Sequence, residues 1–176
     1  MGMGGSIKKK SAGISGGTGV SPVHSFKITV RNLPHWQLPG SVYFITWRCK
    51  DYQVLSPEER TTTLEAIRYW DGRKWTVYAA VVMPDHVHLL GKPFTLPEGG
   101  FFNLAEIIHS IKSFTGHEII KKRGTTGSIW QDERFDRIVR DEAEFLEKWQ
   151  YIRNNPVKEG LAATPEEYPW LYEKGS

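Results

Sequence analysis

The sequence predicts a single α+β domain, a small antiparallel sheet with helices packed on one face, of the ferredoxin-like or RRM-like kind. Three observations predict it. Strand-like and helix-like periodicities interleave in the order β-α-β-β-α-β-α, and no repeat appears. The helical stretches open on recognisable caps. The chain has 176 residues, 39% of them hydrophobic and 12% aromatic, which suits one packed core.

Residues 1–32 form a basic leader rich in Gly and Ser, expected to be mostly disordered, and the domain is expected to span residues 33–176. Val42 to Arg48 is rich in β-branched and aromatic residues and predicts a strand after the Pro39-Gly40 turn. Ser56-Pro57-Glu58-Glu59 supplies a cap, a proline at the first position and first-turn acids for a helix running to about Trp70. Trp75 to Met83 and His86 to Gly91 predict two strands separated by Pro84-Asp85. Asn103, with Glu106 three residues on, opens a second helix with Leu104, Ile107, Ile108, Ile111 and Phe114 in one stripe, and Gly116 marks a place where it ends or bends. Ile129-Trp130-Gln131 and Arg134 to Val139 predict a short strand or pair. Asp141 caps a last helix, with Glu144 reaching back and Phe145, Leu146, Trp149 and Ile152 on its buried face.

The net charge of +3 is unevenly spread, because residues 1–35 hold five Lys and Arg and no acid, which leaves −2 for the rest. Overall charge therefore does not argue for nucleic-acid binding, although a basic arm adds a salt-sensitive attraction to phosphates. No run approaches the roughly eighteen apolar residues of a membrane span, and the N-terminus lacks the continuous apolar core of a secretory signal. The expected location is the cytoplasm, with no membrane partner. A single cysteine, Cys49, forms no internal disulfide and reads as a packed strand residue.

The most informative local stretch is Val81-Val82-Met83-Pro84-Asp85-His86-Val87-His88-Leu89-Leu90. Strand alternation puts His86 and His88 on one face and Val87 and Leu89 on the core side. Two imidazoles one repeat apart, roughly 6 to 7 Å between Cα atoms, can bind one divalent ion. On an open strand such a pair is ordinarily just solvated. Here the apolar residues on both sides bury the strand, where ionisable rings are costly without partners. Asp85 reads as a turn residue and not a third ligand.

In the last helix, projection at 100° per residue puts Tyr151 about 240° from Phe145, on a polar stripe with Glu144, Lys148 and Asn155. Asn155 lies one turn beyond Tyr151, where its amide oxygen suits a metal beside the phenol. A tyrosine at a helix flank also commonly packs under a loop, so the helix by itself leaves its role open. Pro156 disfavours helical geometry at Asn155 and marks a place where the helix ends. Lys148 either pairs with Glu144 or holds a phosphate.

Taken together, Met83-Pro84-Asp85-His86-Val87-His88-Leu89-Leu90, Trp130-Gln131, Arg134-Phe135-Asp136-Arg137-Ile138-Val139-Arg140 and Tyr151-Ile152-Arg153-Asn154-Asn155-Pro156-Val157-Lys158-Glu159-Gly160-Leu161 resemble the REP-associated tyrosine transposases. These are transposases with a His-hydrophobic-His motif and a single catalytic tyrosine. The resemblance runs from about Leu33 to Trp170 and departs at Asp85, where the family more often has Asn, and in the long leader. It implies the RRM-like fold of that superfamily, with Tyr151 as nucleophile and His86, His88 and Asn155 holding Mg²⁺ or Mn²⁺. It also implies cleavage and rejoining of single-stranded DNA at REP-like hairpins through a 5′-phosphotyrosine, by a monomer or homodimer.

For DNA contacts the expected residues are Lys112, Arg134, Arg137, Arg153 and Lys158 for the backbone, with Trp130 or Trp36 stacking on unpaired bases. Two other readings stay open from sequence. One is a non-catalytic single-strand-binding module on the same architecture. The other is a metal phosphodiesterase that uses water as its nucleophile.

Overall fold

The computed structural model describes residues 27–31, 33–37 and 40–175. Lys27–Arg31 (β1) and Leu33–Gln37 (β2) form a separate antiparallel pair, with Lys27 opposite Gln37 and Arg31 opposite Leu33. β1 lies within the stretch expected to be a leader, and its signal is the alternation of Ile28 and Val30 with Lys27, Thr29 and Arg31. The rest of that leader lies outside the described residues.

The main sheet contains Tyr43–Arg48 (β3), Trp75–Val82 (β4), His86–Pro93 (β5), Phe135–Ile138 (β6) and Leu171–Glu173 (β7). Its order is β6-β3-β5-β4-β7 and every neighbouring pair is antiparallel. Among the described residues there are three α-helices, Pro57–Tyr69 (α1), Leu104–Arg123 (α2) and Glu142–Lys158 (α3), and a short 3-10 turn at Pro165–Glu167. The expected α+β class is observed, and the expected order β-α-β-β-α-β-α runs from β3 to α3, with the β1–β2 pair before it and β7 after it.

Strand alternation divides the interior into two apolar clusters, one per sheet face. Ile45, Trp47, Val77, Ala80, Val82, Val87 and Leu89 pack with Ile67 of α1 and Leu104, Ile107, Ile108 and Ile111 of α2. Phe44, Ala79, Val81, Met83 and Leu90 form the second cluster with Ile152 of α3 and Tyr168. The register of β4 against β5 shifts between Val77 and Ala79. This irregularity switches the parity of β4, so Val81 faces the histidine side. Only α1 and α2 share a face; α3 covers the other one, which the order of elements in the sequence does not reveal.

Local chemistry explains the helix ends. Ser56 caps α1 as expected and forms a capping box with Glu59, Ser56 N–H donating to Glu59 Oε2 at 2.8 Å and Glu59 N–H to Ser56 Oγ at 3.3 Å. Glu59 is buried and takes a two-pronged ion pair from Arg123 at the end of α2, both contacts at 2.6 Å. α2 continues through Gly116 and does not end there; the Trp130 ring packs against this point, and a Cβ would stand 3.7 Å from Trp130 Cδ1, an ordinary contact. The helix stops at Gly124, whose φ of 62° is the left-handed cap conformation. Its stripe continues through Thr115 and Ile119, and Phe114 is exposed.

In α3, Asp141 Oδ1 accepts from Glu144 N–H at 2.8 Å, while Glu144 reaches one residue further back than expected, to Arg140 N–H at 2.9 Å. Pro156 lies inside α3 and does not end it. The last turn stays closed through Glu159 N–H to Asn155 C=O at 3.0 Å and Leu161 N–H to Pro156 C=O at 2.8 Å. Leu146, expected on the buried face, is 51% exposed, and Glu144 and Asn155 are buried instead.

The Arg123–Glu59 pair ties the C-terminus of α2 to the N-terminus of α1. Glu59→Ala should lower stability by about 2 kcal/mol in urea unfolding, less than a fully buried pair because Arg123 keeps a quarter of its side chain exposed. Hydrogen bonds from Arg123 hold the Glu59 carboxyl below its ordinary value of 4.5. That stabilisation is therefore present above about 4.5 and lost as pH falls below it, so wild type and Glu59→Gln should converge in stability in acid.

Candidate metal and nucleophile site

β5 is the central strand, flanked by β3 and β4, and its alternation places His86 and His88 on the face covered by α3. They are 8% and 5% exposed, with ring centroids 4.7 Å apart. Each ring is fixed through Nδ1. Asp85 Oδ1 lies 2.6 Å from His86 Nδ1, and Arg48 donates to Asp85 Oδ2 at 3.3 Å. A carboxylate can only accept, so His86 Nδ1 carries a proton and donates it to Asp85, which leaves Nε2 as the nitrogen not engaged by the carboxylate. Thr46, directly opposite His88 across β3 and β5, places Oγ1 2.7 Å from His88 Nδ1. Burial first, then the neighbouring His86 and Arg48, push His88 down to about 3, so its ring is neutral near pH 7.

α3 brings the phenol to the same point. The Tyr151 hydroxyl lies 3.4 Å from His88 Nε2, and the two rings meet edge to face with centroids 5.0 Å apart. Phe44 stacks on His88 at 5.6 Å and meets Tyr151 edge-on at 5.9 Å. Tyr151 remains 41% exposed, open to a strand arriving from solvent. One turn along the same stripe, Asn155 is buried and its Oδ1 has no hydrogen-bond partner among the described residues. A buried amide oxygen without a partner is costly, and a cation would satisfy it. Two imidazole nitrogens and an amide oxygen suit Mg²⁺ or Mn²⁺, with positions left for phosphate oxygens. No group of three or more His, Cys, Asp or Glu suited to a metal occurs among the described residues, so the donor set depends on Asn155.

The polar stripe of α3 is thus turned towards the histidines. Within it Glu144 pairs with Arg137 at 2.7 Å and with Arg140 at 2.9 Å. Lys148 therefore pairs with Glu147 at 2.7 Å, not with Glu144, and lies 5.6 Å from the Phe44 ring centre.

The residues expected to contact DNA do not form one patch. Lys112 Nζ donates to the carbonyls of Gln131 and Asp132 at 2.6 and 3.2 Å, tying α2 to the loop before β6, and burial lowers it to about 8. Arg134 Nε donates to Asp136 Oδ2 at 3.0 Å. Arg153 is held by Glu166 and Glu173 of the C-terminal segment, and Lys158 is exposed at the end of α3. Trp130 is not a stacking surface. It is 3% exposed, packed edge-on against Trp47, with Nε1 donating to Thr115 Oγ1 at 2.9 Å. The Trp36 side chain falls outside the described residues. Cys49 is buried and its thiol is pushed up to about 12 by burial, in keeping with a packing role.

Asp85 is the turn residue the sequence suggested and not a third ligand, but its hydrogen bond to His86 Nδ1 was not foreseen, nor was the role of Thr46. The available signal was polarity in an otherwise apolar strand, since Thr46 alternates with Phe44 and Arg48 on one face of Val-Tyr-Phe-Ile-Thr-Trp-Arg.

His86-Val87-His88 thus lies on the middle strand of an antiparallel sheet, with the helix that carries Tyr151 laid over it. No family model matches the chain. It is 26% identical over 137 residues to the REP-associated tyrosine transposase of Escherichia coli (strain K12), covering 77% of this chain and 78% of that one. It is 28% identical over 100 residues to a candidate REP-associated tyrosine transposase of Haemophilus influenzae, covering 52% and 55%. A solved REP-associated tyrosine transposase bound to a REP hairpin shares the fold, with a TM-score of 0.66 at 21% identity over 81% of this chain and 82% of that one. The chain is a homologue of the REP-associated tyrosine transposases, as its motifs suggested.

Trp130→Phe should lower stability by about 1 to 3 kcal/mol in urea unfolding, because it leaves a small void and removes the bond to Thr115. Affinity for single-stranded DNA, measured by fluorescence anisotropy, should stay within twofold of wild type.

Proposed function

We propose that this protein is a transposase-type enzyme that cuts and rejoins single-stranded DNA at REP-like hairpins, with Tyr151 as nucleophile. The observation that carries the reading is the 3.4 Å approach of the Tyr151 hydroxyl to His88 Nε2, the nitrogen that Thr46 leaves available. Kinship with REP-associated tyrosine transposases, one of them solved on a REP hairpin, supports the substrate.

His86, His88 and Asn155 would hold Mg²⁺ or Mn²⁺. Once bound, such a cation supplies positive charge to the non-bridging oxygens of a phosphodiester. The two imidazoles are pre-aimed by their Nδ1 partners, so little reorganisation is needed. The Tyr151 oxygen then attacks phosphorus, the phenolic proton leaves, and the O3′ bond breaks to give a 5′-phosphotyrosyl strand and a free 3′-hydroxyl. One ester replaces another, so a 3′-hydroxyl can attack the phosphotyrosine in turn and rejoin the strand without a nucleotide cofactor. Phe44 packs against the His88 and Tyr151 rings and holds them in place from the sheet side. Lys112, Arg134, Arg137, Arg153 and Lys158 are proposed to contribute backbone attraction, with the basic leader of residues 1–32 adding to it.

Incubation with a labelled hairpin oligonucleotide and Mn²⁺ should give wild-type protein a covalent adduct stable to denaturant. Tyr151→Phe should abolish it while Mn²⁺ affinity, measured calorimetrically, stays within about threefold of wild type. Cleavage retained by Tyr151→Phe would point to water as the nucleophile, and binding without cleavage by wild type to a non-catalytic module. Asp85→Ala should weaken Mn²⁺ binding by about 10- to 100-fold, the usual cost of losing the partner that orients a ligating histidine, whereas Asp85→Asn, which still accepts at Nδ1, should lose less.

A further inference from the structure

β6 is built against the usual hydrophobic pattern. In the stretch Arg134-Phe135-Asp136-Arg137-Ile138 the charged Arg134 and Asp136 turn towards the α1 and α2 side, where they pair with each other at 2.9 Å, only 13% and 8% exposed. Phe135 turns outward on the other face and is 57% exposed. Core packing does not require an aromatic there, and an exposed phenylalanine on an edge strand is a liability that proteins ordinarily avoid.

Its neighbours give it a purpose. Thr46 is the register partner of both His88 and Phe135, so His88, Thr46 and Phe135 form one cross-strand row on one face. Adjacent strands stand about 4.8 Å apart, which puts Phe135 roughly 10 Å from His88, within reach of bases flanking a phosphate held at the histidines. The rows on either side hold Arg48, opposite His86, and Arg137, opposite Phe44. Their side chains remain 55% and 42% exposed while pairing with Asp85 and Glu144. α3 lies over β4 and β5. An aromatic face between two guanidinium groups, continuous with the candidate site, fits a single strand better than a neutral protein surface.

We propose that Phe135 is a stacking subsite for an unpaired nucleobase adjoining the scissile phosphate. This rests on the reading of the protein as a single-strand DNA enzyme and adds the residue that seats the strand beside Tyr151. Stacking accepts any base, so the subsite sets position and not sequence.

The test uses the full chain in EDTA, where no strand is consumed, and a hairpin oligonucleotide with unpaired extensions carrying 2-aminopurine at one position at a time. Wild type should quench the probe strongly at one or two positions next to the cut, and Phe135→Ala should lose that quench and bind about tenfold more weakly. Phe135→Trp should restore both. Phe135→Leu, which keeps the apolar bulk without a ring, should behave like Phe135→Ala. Mn²⁺ affinity and thermal unfolding should not move in any of them. Equal quench and affinity in wild type and Phe135→Ala would overturn the subsite while leaving the proposed reaction standing. So would a wild-type dimer, seen by sedimentation, that Phe135→Ala dissolves with no change in DNA affinity. If wild type binds no hairpin at all, the proposed function itself fails, and the subsite with it.

Discussion

The hydrogen bonds that Asp85 and Thr46 make to the Nδ1 atoms of His86 and His88 are the constraint around which the site is arranged. A buried histidine is ordinarily satisfied at both nitrogens or protonated against a carboxylate. Here one nitrogen of each ring is occupied from the sheet side, and burial keeps the His88 ring neutral. The other nitrogen of His88 faces the Tyr151 hydroxyl, and one turn along α3 the buried Asn155 amide oxygen has no partner among the described residues. Remove either Nδ1 partner and a ring can turn, offering a hydrogen where an electron pair is needed.

α3 has to be held in place for this to work, and most of its anchoring is remote from the chemistry. Ile152 fills the second apolar cluster, and Glu144 ties the first turn to Arg137 on β6. Arg153 ties the last turns to Glu166 and Glu173, the latter on the edge strand β7. Tyr168 then closes the edge, its hydroxyl donating to Val82 C=O at 2.9 Å. The C-terminal segment therefore sets the height of the tyrosine helix over the sheet, although it contributes no group to the site.

The histidine pair was legible because strand alternation is a rigid rule: once His86-Val87-His88 is a strand, both rings share a face. The spacing of Tyr151 and Asn155 was legible for the same kind of reason, although Pro156 argued against it. Apolar periodicity misled where polar side chains do the packing. It centred the buried face of α3 on Phe145 and Leu146, because it gives no weight to a glutamate buried between arginines or to a buried asparagine. It offered Trp130 as a stacking surface, since the fit of its ring against Gly116 joins residues fourteen apart in sequence and leaves no local trace. The face of the sheet that α3 covers is likewise a property of three-dimensional packing, as is the outward turn of Phe135.

His86 and His88 must act together as ligands through nitrogen for the proposed site to work. Pulsed electron paramagnetic resonance of the Mn²⁺-loaded protein, grown with ¹⁵N-labelled histidine, reads this directly. Couplings to two histidine nitrogens are expected, falling to one in His86→Ala and in His88→Ala. A Mn²⁺ signal with oxygen ligands alone, unchanged in both variants, would contradict it.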